Sequence, residues 1–325
     1  MNAPHERILV IKLGALGDFV QALGPMAAIR KHHRNADIVL LTTSPYVDFA
    51  RAANLFDDVW VDAEKPKPWQ ISKVLNLRQK LKSGNFDRVY DLQTSDRSSF
   101  YYYILAFGTK PEWSGIAKGS SHPHNNPTRD LMHTHERQRE QLAVAGIDLV
   151  PVPDLSWAQN KEQDQGLHSK YGLVPPYALL VPGGAPHRPA KRWPVERYVE
   201  LANHMLGQGI TPILLGAGAE RGILHLIEHD APGSVNLCAK TSFLDIATLA
   251  LGAVVAVGND TGPMHLIAAA NCACVVLYSF DSNPDLCAQR GKAVKILRQE
   301  SLESLIEAEV WQSVETFVDN IDRVS

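Results

Sequence analysis

Three glycine-bearing segments carry the residues of this chain best suited to chemistry. The first, Asn259-Asp260-Thr261-Gly262-Pro263-Met264-His265, follows the apolar run 253–257 and leads into Leu266-Ile267-Ala268-Ala269-Ala270. An apolar run of strand length, a break at glycine and a helix-forming run read as strand, tight loop and helix. Such a loop presents the amides of Thr261 and Gly262 at the positive end of a helix dipole. Pro263 fits the first turn, where a missing N–H needs no partner. This arrangement binds anions, although Asp260 or Thr261 can equally serve as a plain N-cap. The second segment, Gly183-Gly184-Ala185-Pro186-His187-Arg188-Pro189-Ala190-Lys191-Arg192-Trp193-Pro194, sets a glycine pair before a cluster of cations. Backbone donors at close range, with mobile positive charge beside them, are what a polyphosphate requires. The third, Gly14-Ala15-Leu16-Gly17-Asp18, puts one carboxylate at the mouth of a loop, as N-cap or as a group turned to substrate.

Each loop follows a strand-like segment, at residues 7–13, 177–182 and 253–257. Val20, Leu23, Ala27 and Ile29 mark a helix over 19–33, and Pro194 opens another that runs to Gly207. Further strands are expected at 36–42, 59–61, 86–92, 211–215, 235–238 and 274–278. Helices are expected at 71–82, where the pattern is basic and amphipathic, and at 100–107, 137–145, 244–251 and 302–318. Residues 108–135 show little period and read as one long loop of the kind that binds a ligand or forms a lid. The polar stretch 160–171 is read as leading across to a second domain. Strands alternating with helices make an α/β protein with mostly parallel sheets, whose ligands lie at the carboxyl ends of the strands. Gln93 and Arg97, just after strand 86–92, fall on that edge. A length of 325 residues fits two domains.

Composition narrows the partners. The net charge of −3 argues against a general nucleic-acid binder. Residues 1–150 carry 19 Lys and Arg against 16 Asp and Glu, while residues 151–325 carry 13 against 19, so the first half alone is basic. No apolar run approaches the roughly 18 residues of a membrane helix, and the chain reads as cytoplasmic, at most touching a membrane surface. The four cysteines, Cys238, Cys272, Cys274 and Cys287, lack Cys-x-x-Cys spacing and read as buried free thiols. The pairs His122/His124 and His133/His135 lack a zinc-motif context, so no metal is expected.

Four motifs now stand in order: Lys12 to Asp18 as Lys-x5-Asp, Asp91-Leu92-Gln93 with Arg97-Ser98, Lys191-Arg192-Trp193-Pro194, and the segment 259–265. Over almost its whole length the chain resembles the lipopolysaccharide heptosyltransferase family of glycosyltransferases. The resemblance implies an α/β glycosyltransferase B fold, two Rossmann-like domains with parallel sheets facing across a cleft. Residues 1–165 would form the acceptor side and 166–301 the nucleotide-sugar side, with a C-terminal helix at about 302–325 packing back on the first domain. It further implies inverting, metal-independent transfer of a heptose from ADP-heptose, without a cofactor. The acceptor would be the lipopolysaccharide core at the inner face of the cytoplasmic membrane. By position, Asp18 resembles the catalytic base and Lys191 the phosphate-binding lysine. Asp260 resembles the residue that holds the donor sugar, Thr261 and Gly262 the amides on the diphosphate, and Glu220 the ribose contact. Gly183, Gly184, Arg192 and His265 fall with the donor contacts, and Gly17, Gln93 and Arg97 with the acceptor side. Members that add the first heptose tend to carry a Ser pair before the Gly-Asp, where this chain has Leu13-Gly14. The residues alone also leave open an NAD-dependent oxidoreductase, prompted by Gly216-x-Gly218 and Gly14-x-x-Gly17, and a non-enzymatic nucleotide-sugar-binding module. Neither glycine pattern is a complete dinucleotide fingerprint.

Overall fold

The computed structural model describes residues 5–63, 66–67, 69–105, 110–158 and 161–322. It divides into two compact units, Met1–Val152 and Pro153–Ser325. In the first unit six strands form a wholly parallel sheet in the order β3-β2-β1-β4-β5-β6. They are β1 (Arg7–Ile11), β2 (Asp37–Thr42), β3 (Asp58–Val61), β4 (Arg88–Asp91), β5 (Glu112–Gly115) and β6 (His122–Pro123). Strand β1 is central, with Ile8, Leu9, Val10 and Ile11 all wholly buried. An unbroken apolar run is what a parallel strand covered on both faces needs, since neither row of side chains meets water.

The second unit repeats the plan with β7 (Tyr177–Val181), β8 (Thr211–Leu214), β9 (Val235–Asn236), β10 (Val255–Asn259), β11 (Cys274–Tyr278) and β12 (Val294–Arg298). Their order is β12-β11-β10-β7-β8-β9. Both sheets reverse the direction of winding beside their first strand, at β1/β4 and at β7/β10. At such a switch point the loops leaving neighbouring strands diverge and open a crevice at the carboxyl edge.

Several expectations give way in the folded structure. The long loop expected over 108–135 contains β5 and β6, and Val89 pairs with Trp113, a fully buried residue. Strands of four and two residues are too short to show a period. Strand β12 and the helix Arg221–Asp230 were likewise not anticipated. The helix over 19–33 is two helices, Leu16–Gln21 and Leu23–His32, joined at Ala22. The aromatic helix spans Asp96–Leu105, and residues 106–107 lie outside the described residues.

The division between units falls at Val152/Pro153 rather than 165/166. The polar stretch after it is a helix, Lys161–Tyr171, that packs on the helix Phe243–Gly252 of the second unit, and Leu155 N donates to Ala269 O at 3.0 Å. Within its own unit the C-terminal helix Glu307–Asp322 packs on the helix Val195–Gly207 and on β10 and β11, and residues 323–325 of the expected stretch lie outside the described residues. Val310 and Val314 are four residues apart and so share one helix face. Both are wholly buried in the core with Tyr198 and Leu201. Trp311 stacks on His204 with ring centroids 3.9 Å apart.

Candidate active site

In the second unit Gly258 of β10 lies in register with Val181 of β7, so the loops leaving these two strands run side by side. Asn259, the last residue of β10, ties them together and is wholly buried. Its Nδ2 donates to Pro182 O at 2.9 Å and to Gly183 O at 3.0 Å. Its Oδ1 accepts from Trp193 N at 3.0 Å and from the Tyr198 hydroxyl at 3.1 Å. A carboxamide has two donors and two acceptor lone pairs, and all four are used. Asn259 thereby fixes both the glycine loop and the start of the helix behind the cationic segment. It stood inside a motif of the sequence without a role. A polar side chain closing a buried apolar strand must find partners, and that was the available signal.

Asp260 follows directly and is nearly buried. Its Oδ2 accepts from Lys191 Nζ at 2.7 Å and from the Ser282 hydroxyl, and its Oδ1 accepts from Gln289 Nε2 at 3.1 Å. His265 Nε2 lies 3.9 Å from the same Oδ1. Burial pushes the carboxyl up, but the hydrogen bonds from Lys191 and Ser282 and the charges of Lys191 and His265 outweigh it. The net effect holds Asp260 below the ordinary carboxylate range. Gln289 is itself held by the Tyr278 hydroxyl, which donates to its Oε1 at 2.8 Å. Ser282 and Gln289 gave no sequence signal, because they reach Asp260 from 22 and 29 residues downstream in an irregular segment.

The helix Gly262–Ala269 begins beside this cluster. Thr261 is its N-cap residue, with φ −143° and ψ 163°, yet its side chain makes no capping bond. Its Oγ1 is buried without a hydrogen-bond partner among the described residues. The Thr261 side chain therefore leaves the cap role unfilled. Arg192 Nη2 donates to Gly184 O at 2.7 Å, while its Nε is buried with no partner among the described residues. Buried polar atoms are normally satisfied. Thr261 Oγ1 and Arg192 Nε, both on this sheet edge, are two of the sixteen buried side-chain atoms without a hydrogen-bond partner among the described residues.

Glu220 lies at the end of the turn Gly218–Glu220, after β8, and its Oε2 accepts from Ala217 N at 2.7 Å. A Cβ on Gly183 would lie 2.9 Å from Glu220 Cγ and 3.2 Å from its Oε1, so Glu220 packs flat against the glycine loop only because residue 183 has no side chain. Gly183, Gly184, Lys191, Arg192, Glu220, Asp260, Thr261, Gly262 and His265 are thus brought together at the carboxyl edge around β7, β8 and β10.

In the first unit Asp18 is the third residue of the helix Leu16–Gln21, whose N-cap position is Ala15, so the carboxylate does not cap the helix. It is exposed, and Gly17 beside it is half-buried. Lys12, buried below, donates from Nζ to Leu92 O at 3.0 Å. Burial lowers its pKa, and the charges of Asp18 and Asp91 act against that fall. The Lys-x5-Asp pattern therefore sets a desolvated cation within electrostatic reach of an exposed carboxylate. Gly14, at φ +123°, lies against the Tyr46 ring, which a Cβ would approach to 2.9 Å.

The other first-unit positions are engaged within the unit. Gln93 Oε1 accepts from Leu13 N at 2.8 Å, pinning the end of β1. Arg97 Nη2 pairs with Asp62 and its Nε donates to the Tyr101 hydroxyl at 2.6 Å, with the Asp62 side chain only 2% exposed. Neither Asp62 nor that pairing was legible in the sequence. The histidine pairs hold local structure: His133 caps the helix Thr134–Val144, His135 Nε2 lies 2.9 Å from Pro151 O, and His124 Nε2 lies 3.4 Å from Glu140. All four cysteines are free thiols, with Cys238, Cys272 and Cys274 buried and Cys287 partly so.

Residues 74–311 match the model of glycosyltransferase family 9 (heptosyltransferase), which is well over half of the chain. The chain belongs to glycosyltransferase family 9. This glycosyltransferase is 22% identical over 291 residues to the lipopolysaccharide core heptosyltransferase OpsX of Haemophilus influenzae, a match covering 86% of this chain and 80% of that relative. It is 33% identical over 120 residues to the lipopolysaccharide heptosyltransferase 2 of Escherichia coli, covering 35% of this chain and 34% of the relative. Among solved structures, E. coli ADP-heptose lps heptosyltransferase II superposes with a TM-score of 0.82 at 20% identity, over 97% of this chain and 99% of that one. A family 9 glycosyltransferase of Veillonella parvula gives 0.83 at 19% identity, over 98% and 99%. These likenesses carry the fold, a glycosyltransferase B architecture with two parallel six-stranded sheets. Family membership retires the oxidoreductase and the non-enzymatic binding module. The glycine at 216 answers to packing, since a Cβ there would lie 2.7 Å from Leu224 Cδ1.

Proposed function

We propose that this glycosyltransferase transfers a heptose from ADP-heptose to the lipopolysaccharide core with inversion at the anomeric carbon, and that it needs no metal. The observation that carries the donor half is the meeting of Lys191, Asp260, the glycine loop and an uncapped helix N-terminus on one sheet edge. Support for the sugar and the acceptor comes from the relatives, named as heptosyltransferases of lipopolysaccharide or its core. One solved relative is E. coli heptosyltransferase WaaC with ADP.

In the proposed reaction an acceptor hydroxyl attacks the anomeric carbon. The bond from that carbon to the diphosphate oxygen breaks, and the electron pair leaves with ADP. Asp18 takes the hydroxyl proton, a role worth roughly 100- to 10,000-fold. The Lys191 ammonium and the amides of Thr261 and Gly262 meet the charge that grows on the diphosphate. Donors of this kind are each worth about 3 kcal/mol of barrier. Asp260 orients Lys191 in the free protein and contacts the donor sugar, and Glu220 accepts from the ribose. Gly183, Gly184, Arg192 and His265 line the donor, and Gly17, Gln93 and Arg97 bear on the acceptor, the last two by holding its loop. No cofactor takes part. The acceptor is lipid-linked, and the enzyme works at the inner face of the cytoplasmic membrane as a peripheral protein.

The test is a transfer assay with ADP-heptose and truncated core acceptors, run with and without EDTA, with the product anomer read by NMR. Transfer that survives chelation and inverts the anomeric centre supports the reading. Transfer of a different nucleotide's sugar alone, retention of configuration, or loss of activity restored by a divalent cation each overturns the corresponding part.

A further inference from the structure

From Lys67 to Ser83 the sequence carries five Lys and Arg and no Asp or Glu, in a chain whose net charge is −3. The helix Ile71–Ser83 lies within this stretch and buries only one side. Leu77 and Leu81 enter the core with Val74 packed against it, and Arg78 Nε donates to Ile104 O at 2.9 Å. Three large apolar side chains are left outside: Trp69 is 71% exposed, Ile71 68% and Leu75 55%. Ile71 and Leu75 are four residues apart and so form one ridge, and the helical spacing brings Lys82 onto the same line two turns further on. Lys67 sits at the other end, with Nζ 5.2 Å from the centre of the Trp69 ring.

We propose that this face, an apolar ridge of Trp69, Ile71 and Leu75 flanked by Lys67 and Lys82, docks the enzyme on an anionic phospholipid bilayer. The chemistry of the face selects that occupant. An amphipathic indole beside lysines favours the boundary between headgroups and acyl chains. Each lysine near an anionic leaflet strengthens binding about fivefold, while an acid-free stretch meets no repulsion there. Shallow burial of the ridge suffices for a peripheral enzyme, and among the described residues no helix is long and apolar enough to cross a membrane. The proposal rests on the reading of a lipid-linked acceptor, and it names the surface that would bring the enzyme to it.

The test is co-sedimentation of the full-length protein with phosphatidylglycerol/phosphatidylethanolamine vesicles and with pure phosphatidylcholine vesicles, without donor or acceptor. Wild type should bind the anionic vesicles and not the zwitterionic ones. The Lys67→Glu/Lys82→Glu pair should weaken binding by about 25-fold or more, and Ile71→Ser/Leu75→Ser should weaken it at any salt concentration. Brominated lipid should quench wild-type fluorescence more than that of Trp69→Phe. All these side chains are exposed, so melting temperatures and turnover of a water-soluble acceptor should stay at wild-type values. Equal binding by variants and wild type, no binding by wild type, or a dimer that disappears in Ile71→Ser/Leu75→Ser each overturns the proposal, the last by assigning the ridge to a second copy. Vesicle binding and sugar transfer are read separately, so failure of the docking surface and failure of the acceptor reading are distinguishable.

Discussion

Lys191 Nζ and Asp260 Oδ2 meet at 2.7 Å across 69 residues of sequence, with side chains 12% and 7% exposed. Breaking a largely buried pair from one side leaves the remaining charge undercompensated, here with Ser282, Gln289 and the more distant His265 as its partners among the described residues. Lys191→Ala should therefore cost about 3 kcal/mol of stability and lower kcat/KM for the donor roughly 100-fold or more. Urea unfolding and initial rates read the two effects. Normal donor kinetics in this variant would remove Lys191 from the phosphate role.

Asp18→Ala should behave in the opposite way. Its carboxylate is exposed and caps nothing, so unfolding should be unchanged within about 0.5 kcal/mol. Loss of the proposed base should lower kcat by roughly 100- to 10,000-fold, with the ADP-induced rise in melting temperature intact. Turnover at the wild-type rate would leave the proton without its proposed acceptor.

Asn259→Ala tests the clamp between β7 and β10. The change strands two buried carbonyls and a buried amide, and leaves the Tyr198 hydroxyl with only its 3.5 Å bond to Val181 O. Each lost partner leaves a desolvated group unpaired, so the expected loss is about 3 kcal/mol or more, together with weaker ADP binding. Calorimetric unfolding measures the first and titration of ADP the second. Stability equal to wild type would mean that the loop holds itself.

Asp91 gives a pH signature. The carboxyl is wholly buried, and burial pushes its pKa up to about 6, against the bonds it accepts from the Thr94 and Gln93 amides and the charge of Lys12. A carboxyl raised on folding binds its proton more tightly in the native state. Its contribution to stability is greatest below its unfolded value near 4 and is lost as pH rises through 6. Asp91→Asn has no such loss, so relative to wild type it should gain about 2 kcal/mol between pH 4 and pH 7. A constant difference between the two proteins across that range would show that Asp91 titrates normally.

Local signals along the chain determine much of this protein. The apolar runs of β1, β7, β10 and β11, the glycines that end them and the helices that follow declared two α/β halves, because strand period, chain reversal and helix initiation are written over a few neighbouring residues. Short elements escaped for the same reason: β5 and β6 hold too few residues to show a pattern. The candidate donor residues were also legible as types, cations and glycines after strands. Their states were not. That Lys191 is spoken for by Asp260, that Arg97 is drawn inward by Asp62, that Asn259 joins two strands, and that Val310 and Val314 find the second unit's core are all matters of partners far apart in the chain. A hydrogen bond or a packed face is decided by which distant groups the folded sheet brings within about 3 to 4 Å, and no spacing along the chain encodes that.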